Sequence, residues 1–180
     1  MNQTAILSPA LSPSFDRARK LSRVMAVIFT IAFWATAAIL ACLPAMLVWP
    51  LDGSIRIDGT IVSFASLSRG RQFLAFLAVA VNLVPALVLL HHARCVFGAF
   101  AQGAVFAPAT IVHIRGSGVW LVVSFFAGAA TIPVLIGAGL HEPGQFPLDF
   151  WPLIIGVTTF IAAHIMAEAQ RIAAENAEIV

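Results

Sequence analysis

Four long stretches of this chain contain no aspartate, glutamate, lysine or arginine, and each can form a helix that crosses a lipid bilayer. They run over about residues 24–49, 72–91, 119–140 and 150–167. A helix rises about 1.5 Å per residue, so about 20 apolar residues cross the ~30 Å hydrocarbon core. The sequence therefore predicts an all-α polytopic membrane protein whose four transmembrane helices form an antiparallel bundle.

The composition agrees with a lipid environment. The chain is 61% hydrophobic and 10% charged, whereas soluble domains average about 25% charged residues. Its net charge of +2 is too small and too scattered to indicate direct nucleic-acid binding. We divide the chain into a cytoplasmic segment, residues 1–23, and a single membrane domain, residues 24–180. The first 11 residues are expected to be mobile, and a short basic interfacial helix is expected to begin at Ser12 and Pro13.

The loop after the first span has the pattern of a small β-hairpin. Residues 54–64 alternate apolar and polar side chains on both sides of Asp58-Gly59, and an Asp-Gly pair between alternating runs is a hairpin signal. An irregular loop is the alternative, because an isolated two-stranded hairpin needs packing to persist.

Turn and cap residues mark the ends of the later helices. The second helix is expected to overrun the bilayer to about Ala101, with Gly103 permitting the turn and Pro108 opening the third helix. Asp149 is expected to cap the fourth helix, which then continues past the membrane to Glu178 as a solvated extension. Within the second span, Asn82 is expected to bond across to a neighbouring helix.

The positive charges predict the orientation. With the N-terminus inside, the inner segments hold seven of the ten basic residues: Arg17, Arg19, Lys20, Arg23, Arg94, Arg115 and Arg171. The outer loops hold Arg56, Arg69 and Arg71. Because basic residues concentrate on the cytoplasmic side, we expect both termini in the cytoplasm.

Two motifs resemble a known family. Gly103-Ala-Val-Phe-Ala-Pro-Ala-Thr-Ile-Val-His-Ile-Arg-Gly-Ser-Gly118 resembles a Gly, Phe, helix start, aliphatic, Ile/Leu-Arg and Gly pattern before a membrane span. Ala167-Glu-Ala-Gln-Arg-Ile-Ala-Ala-Glu-Asn-Ala-Glu-Ile-Val180 resembles a terminal Glu-Asn-x-x-aliphatic-Val signature. Both are features of domain-of-unknown-function family 2975. The resemblance implies a four-helix bacterial inner-membrane protein without established enzymatic activity, and a helix-turn-helix regulator as its partner.

The central loop and the C-terminal helix supply the candidate partner-binding residues. They are aromatic or charged side chains: Phe97, Phe100, Phe106, Arg115, Arg171, Glu175 and Asn176. With the stripe of Ile165 and Ile172, they would form a cytoplasmic surface. The alternative is that these residues only pack against each other.

Two other functions stay open, and an enzyme is the least supported. His91, His113 and His164 are expected toward the cytoplasmic ends of their helices, so a haem-binding electron-transfer protein is one alternative. A small oligomeric transporter is the other, although the spans contain no acid or base away from their ends. The chain has no phosphate-binding loop or His-Glu-x-x-His motif. We therefore expect no catalytic residues, no metal and no cofactor.

Overall fold

The computed structural model describes residues 13–48, 54–57, 60–63, 67–140 and 148–178, with side chains over 16–45, 67–140 and 148–176. Its elements in chain order are α1 (Pro13–Val48), β1 (Ser54–Ile57), β2 (Thr60–Ser63), α2 (Arg69–Ala101), α3 (Pro108–Gly137) and α4 (Trp151–Glu178). Four predicted features lie outside the described residues: the mobile terminus 1–11, the helix start at Ser12, the Asp58-Gly59 turn, and residues 141–147 of the last external turn.

All four helices are long and apolar enough to cross a membrane, so the prediction of a multi-pass membrane protein is confirmed at that level. Large apolar side chains are exposed along the middle of the helices. Trp34 is 64% exposed on α1, and Phe126 is 59% exposed on α3. Exposed large apolar patches are rare on soluble monomers, whereas lipid tails accept them. The helix exteriors therefore fit a hydrocarbon solvent.

The helices pack in chain order. α1 packs on α2, α2 on α3 and α3 on α4, while the described residues of α1 and α4 share no comparable packing. In each pair, contacts that advance along one helix move backward along the other: Phe29 meets Phe97 and Phe33 meets Arg94, His92 meets His113 and Asn82 meets Thr131, and Arg115 meets Phe160 while Gly118 meets Gly156. Neighbouring helices are therefore antiparallel, as predicted, but the row is open between α1 and α4.

The basic segment and the first span form one helix. We expected a short interfacial helix over the basic residues, yet α1 runs unbroken from Pro13 to Val48. Its 36 residues span about 54 Å, well beyond the hydrocarbon thickness. The described part of the segment between Pro13 and Val24 contains no glycine, and its only proline is Pro13 at the helix start, so nothing local interrupts the helix there.

The turn between α2 and α3 is fixed by backbone hydrogen bonds. Gly103 adopts a φ of 82°, a left-handed conformation that favours glycine. Its N–H donates to Phe100 O at 3.0 Å, and Ala104 N–H donates to Ala99 O at 2.9 Å. This is a Schellman ending. Pro108 then takes the first position of α3, so both predictions for this turn are confirmed.

Two side chains secure the ends of α3 and α4. The Thr110 hydroxyl, which is almost fully buried, donates to Ala104 O at 2.8 Å and fastens α3 to the turn before it. At the opposite end, Asp149 accepts a hydrogen bond from Trp151 N–H at 3.1 Å. Asp149 is therefore the predicted cap of α4. α4 continues to Glu178, as expected for the solvated extension.

The segment predicted to contain a hairpin has two short strands. β1 pairs antiparallel with β2, so that Ser54 lies opposite Ser63 and Ile57 opposite Thr60. Only their backbones are described. No helix makes comparable contact with this strand pair in the described part of the chain.

The α3–α4 contact depends on two glycines. A Cβ on Gly118 would lie 2.8 Å from Gly156 O, and a Cβ on Gly156 would lie 2.8 Å from Gly118 O. Such distances are too short for a side chain, so the two backbones touch where the helices cross. Small residues allow this close approach between membrane helices, where dispersion replaces the hydrophobic effect as the source of attraction.

The α2–α3 contact contains the polar bond expected of Asn82. Its Nδ2 donates to Thr131 Oγ1 at 3.2 Å and to Ala78 O at 2.9 Å. Thr131 is buried and donates in turn to Gly128 O at 2.7 Å. The prediction of an interhelical bond is confirmed. Because each donor has an acceptor within the protein, this pair acts as structural glue between two spans.

We expect Gly118→Ala and Gly156→Ala each to destabilise the fold by about 1–3 kcal/mol, because the added methyl group forces two backbones apart. The matched control is Gly137→Ala, whose Cβ would meet nothing within 4 Å. It shares the helix-propensity gain of about 1 kcal/mol without the collision. The measurement is unfolding by sodium dodecyl sulfate from mixed micelles. Equal midpoints for all three variants would contradict the close crossing.

Candidate functional site

Two of the candidate aromatic residues pack inside the protein. The ring of Phe97 stacks on Phe29 of α1, with centroids 5.3 Å apart and planes 14° apart. Phe100 meets Phe97 edge-on at 6.2 Å. Both are half-buried. The Phe29–Phe97 stack joins α1 to α2, and Phe100 packs on Phe97 within α2. The alternative that such residues pack against each other therefore describes Phe97 and Phe100.

The other aromatic candidate, Phe106, is 64% exposed in the α2–α3 turn. Arg115, about two helix turns beyond the start of α3, is also exposed. Its guanidinium lies 5.0 Å above the ring of Phe160 on α4, a distance at which a cation is attracted by the face of an aromatic ring. Phe106 therefore remains available at the surface, while Arg115 already has a partner within the chain.

The C-terminal extension of α4 carries the charged candidates. Arg171 donates from Nε to both carboxylate oxygens of Glu168, at 3.1 and 3.2 Å, and from Nη1 to Glu175 at 3.1 Å. The hydrogen bond from Arg171 lowers the pKa of Glu168 below its ordinary value. Asn176 follows on the same exposed segment. These ion pairs link residues three and four apart, as expected for a solvated helix.

The structure divides the candidate residues into separate groups. Phe97 packs on α1 and Phe100 packs on Phe97, whereas Arg115 contacts Phe160 of α4. The charged group on the α4 extension is bonded within its own helix. Since α1 and α4 lie at the two ends of the row, these residues do not form one continuous surface around Phe97. Two exposed places remain: Phe106 in the turn and the α4 extension.

A histidine cluster at the same end of the protein was not predicted as a unit. His92 Nδ1 lies 3.1 Å from His113 Nδ1, so one nitrogen donates its hydrogen to the other. His91 Nδ1 lies 3.1 Å from Arg94 Nη2, and its Nε2 lies 3.9 Å from Cys95 Sγ. The cluster joins α2 to α3 through directed polar contacts. The one sequence signal was the His91-His92 pair opposite His113 across a six-residue turn.

Phe33 and Gly116 complete this cluster. The guanidinium of Arg94 lies 4.3 Å above the ring of Phe33 on α1. A Cβ on Gly116 would lie 2.6 Å from His92 Cε1. The missing side chain at Gly116 therefore makes room for the imidazole. Three helices meet at this cluster.

The contacts of the described histidines indicate a packing role rather than the binding of haem iron or another metal. Both nitrogens of His91 face Arg94 and Cys95, and His113 Nδ1 faces His92. His164, the third histidine of the haem hypothesis, is exposed on α4. Within the described residues, no three His, Cys, Asp or Glu side chains are arranged to hold a metal ion.

The chain was compared with protein-family models, with curated proteins and with solved structures, and none of them matches it.

Phe97 and Phe106 provide a matched test of which candidate residues pack inside the protein and which are exposed. We expect Phe97→Ala to lower the free energy of unfolding by about 1–3 kcal/mol, because it removes a stacked ring and leaves a gap between α1 and α2. We expect Phe106→Ala to change it by less than about 0.5 kcal/mol, because that ring is exposed. Both are measured by detergent unfolding. A destabilised Phe106 variant beside an unaffected Phe97 variant would contradict the placement.

Proposed function

We propose that this chain is a non-enzymatic interaction protein of the bacterial inner membrane that binds a cytoplasmic protein partner through the α4 extension. The single observation that carries this proposal is the extension itself. From His164 to Asn176 no residue is buried, so this part of α4 extends beyond the packed row of helices. A helix of this kind presents its side chains to whatever lies beside the membrane.

Helix length supports the position of the extension. α4 has 28 residues, a length of about 42 Å, and the hydrocarbon core takes up about 30 Å of that. The last two or three turns therefore extend beyond the lipid. They hold the Glu168–Arg171–Glu175 ion pairs, which belong in water. The excess of basic residues at this end of the protein supports a cytoplasmic location for both termini.

The extension combines an apolar contact with ordered charges. Ile165, in the last turn of the apolar span, and Ile172, on the extension, are exposed and seven residues apart, so they lie on one face of α4. A partner helix or groove that covers such a stripe gains apolar burial, while the flanking charges fix its register. The exposed ring of Phe106 in the α2–α3 turn offers a second apolar contact at the same end. A helix-turn-helix regulator, the partner that the family resemblance implies, is a partner of this kind.

Site-specific photocrosslinking tests the proposal in native membranes. A photoreactive phenylalanine analogue replaces Ile172, Phe106 or, as the control, Ile155. Ile155 and Ile172 are matched because both lie on α4 and are 49% and 48% exposed, yet Ile155 lies within the apolar span. We expect a discrete protein adduct from Ile172 and Phe106, and only lipid adducts from Ile155.

The adduct should disappear from the Phe106 position when residues 168–180 are removed, because the extension carries most of the contact. Lipid adducts alone at all three positions would contradict the proposal. Equal protein adducts at Ile155 and Ile172 would place the contact within the membrane instead.

A further inference from the structure

An open groove lies between α1 and α2 at the basic end of the protein. Its volume is 410 Å³. Five α1 residues, two α2 residues and the residue that follows α2 line it: Arg23, Ala26, Val27, Thr30, Ile31, Gly98, Ala101 and Gln102. From Arg23 to Ile31 the groove follows α1 for about 12 Å. It therefore begins near the membrane surface and runs into the hydrocarbon region.

The wall of the groove is apolar. The Thr30 hydroxyl donates to Ala26 O at 2.7 Å, so its hydrogen is already used within α1. Gly98 leaves space on the α2 side, because a Cβ built there would meet nothing within 4 Å. Apart from Arg23 and Gln102 at one end, the lining offers methyl and methylene groups. Such a slot accepts a flexible hydrocarbon chain.

The mouth of the groove is positively charged. Arg23 is the one charged residue in the lining. Arg19 lies one turn earlier and is held over the end of α2, since its Nε donates to Ala101 O at 3.2 Å. Arg17 and Lys20 are exposed on the same segment, and Asp16 is the single acid among them. A phosphate group placed beside Arg23 would meet a guanidinium that can bind it through two parallel hydrogen bonds.

We propose that the α1–α2 groove is a binding site for one anionic membrane phospholipid, with an acyl chain along Val27, Ile31 and Gly98 and the headgroup phosphate at Arg23. The apolar wall alone fits any lipid. The charge at its mouth selects a headgroup with net negative charge, such as phosphatidylglycerol, over a zwitterionic one. Basic pockets between membrane helices on the cytoplasmic side have this selectivity in general.

The site is separate from the α4 extension. The groove lies against α1 at one end of the helix row, and the extension proposed to bind a partner belongs to α4 at the other end. A bound lipid would join α1 to α2 along a stretch where the small residues Ala26, Gly98 and Ala101 leave a gap. The consequence is a more stable contact between these two helices.

Native mass spectrometry of the full-length protein, released from mild detergent with added phosphatidylglycerol or phosphatidylcholine, tests the proposal. We expect retention of one phosphatidylglycerol. Arg23→Gln should lower the phosphatidylglycerol-bound fraction by about fivefold, because one basic contact at the surface is lost, and should lower phosphatidylcholine binding less, because that headgroup has the phosphate but no net negative charge. The matched control is Arg17→Gln, which removes the same charge from the same helix outside the groove.

A second pair of variants tests the acyl-chain position. Gly98→Leu fills the slot and should reduce binding of both lipids, whereas Gly70→Leu, where a Cβ also meets nothing within 4 Å, should have no effect. Equal losses for Arg23→Gln and Arg17→Gln would overturn the proposal in favour of a general basic surface. Unchanged binding in Gly98→Leu would also overturn it. Thermal melting of each variant in detergent separates loss of the site from loss of the fold.

Discussion

The absence of hydrogen-bonding partners in hydrocarbon governs this structure. Each backbone N–H and C=O within the bilayer must be satisfied inside the chain, which leaves helices for a protein of this composition. The remaining polar groups at membrane depth follow the same rule. Asn82 donates to Thr131 and Ala78, and Thr131 donates to Gly128. The turn at Gly103 after α2 and the Asp149 cap satisfy helix ends in the same way.

Close packing then replaces the hydrophobic effect between helices. α3 and α4 touch backbone to backbone at Gly118 and Gly156, while α1 and α2 interlock through the stacked rings of Phe29 and Phe97. The histidine cluster adds directed polar contacts where α2 meets α3. Each contact joins neighbours in the chain, and the described residues of α1 and α4 share no comparable packing. The two proposed functional regions lie on these two outer helices.

The sequence predicted what depends on local chemistry. Uninterrupted apolar runs identified the four helices, and Gly103, Pro108 and Asp149 marked their ends, because each acts on its own backbone. Contacts between particular side chains that depend on helix rotation could not be predicted from the hydrophobic pattern. To predict that Phe97 stacks on Phe29, or that His92 bonds to His113, one must know how both helices are rotated about their axes. We expected a separate interfacial helix because residues 17–23 are rich in basic side chains. No proline or glycine ends a helix between Pro13 and Val24, and α1 continues through this segment.

Cysteine labelling in spheroplasts tests the central claim, that four spans place the α2–α3 turn and the α4 extension on one side and the α3–α4 turn on the other. Cys42 and Cys95 are first replaced by alanine, and single cysteines are introduced at Gln102, Leu148 and Asn176, which are all exposed. A membrane-impermeant maleimide should label Leu148→Cys in intact spheroplasts and the other two variants only after permeabilisation. Labelling of Gln102→Cys and Leu148→Cys from the same side would contradict the four-span account.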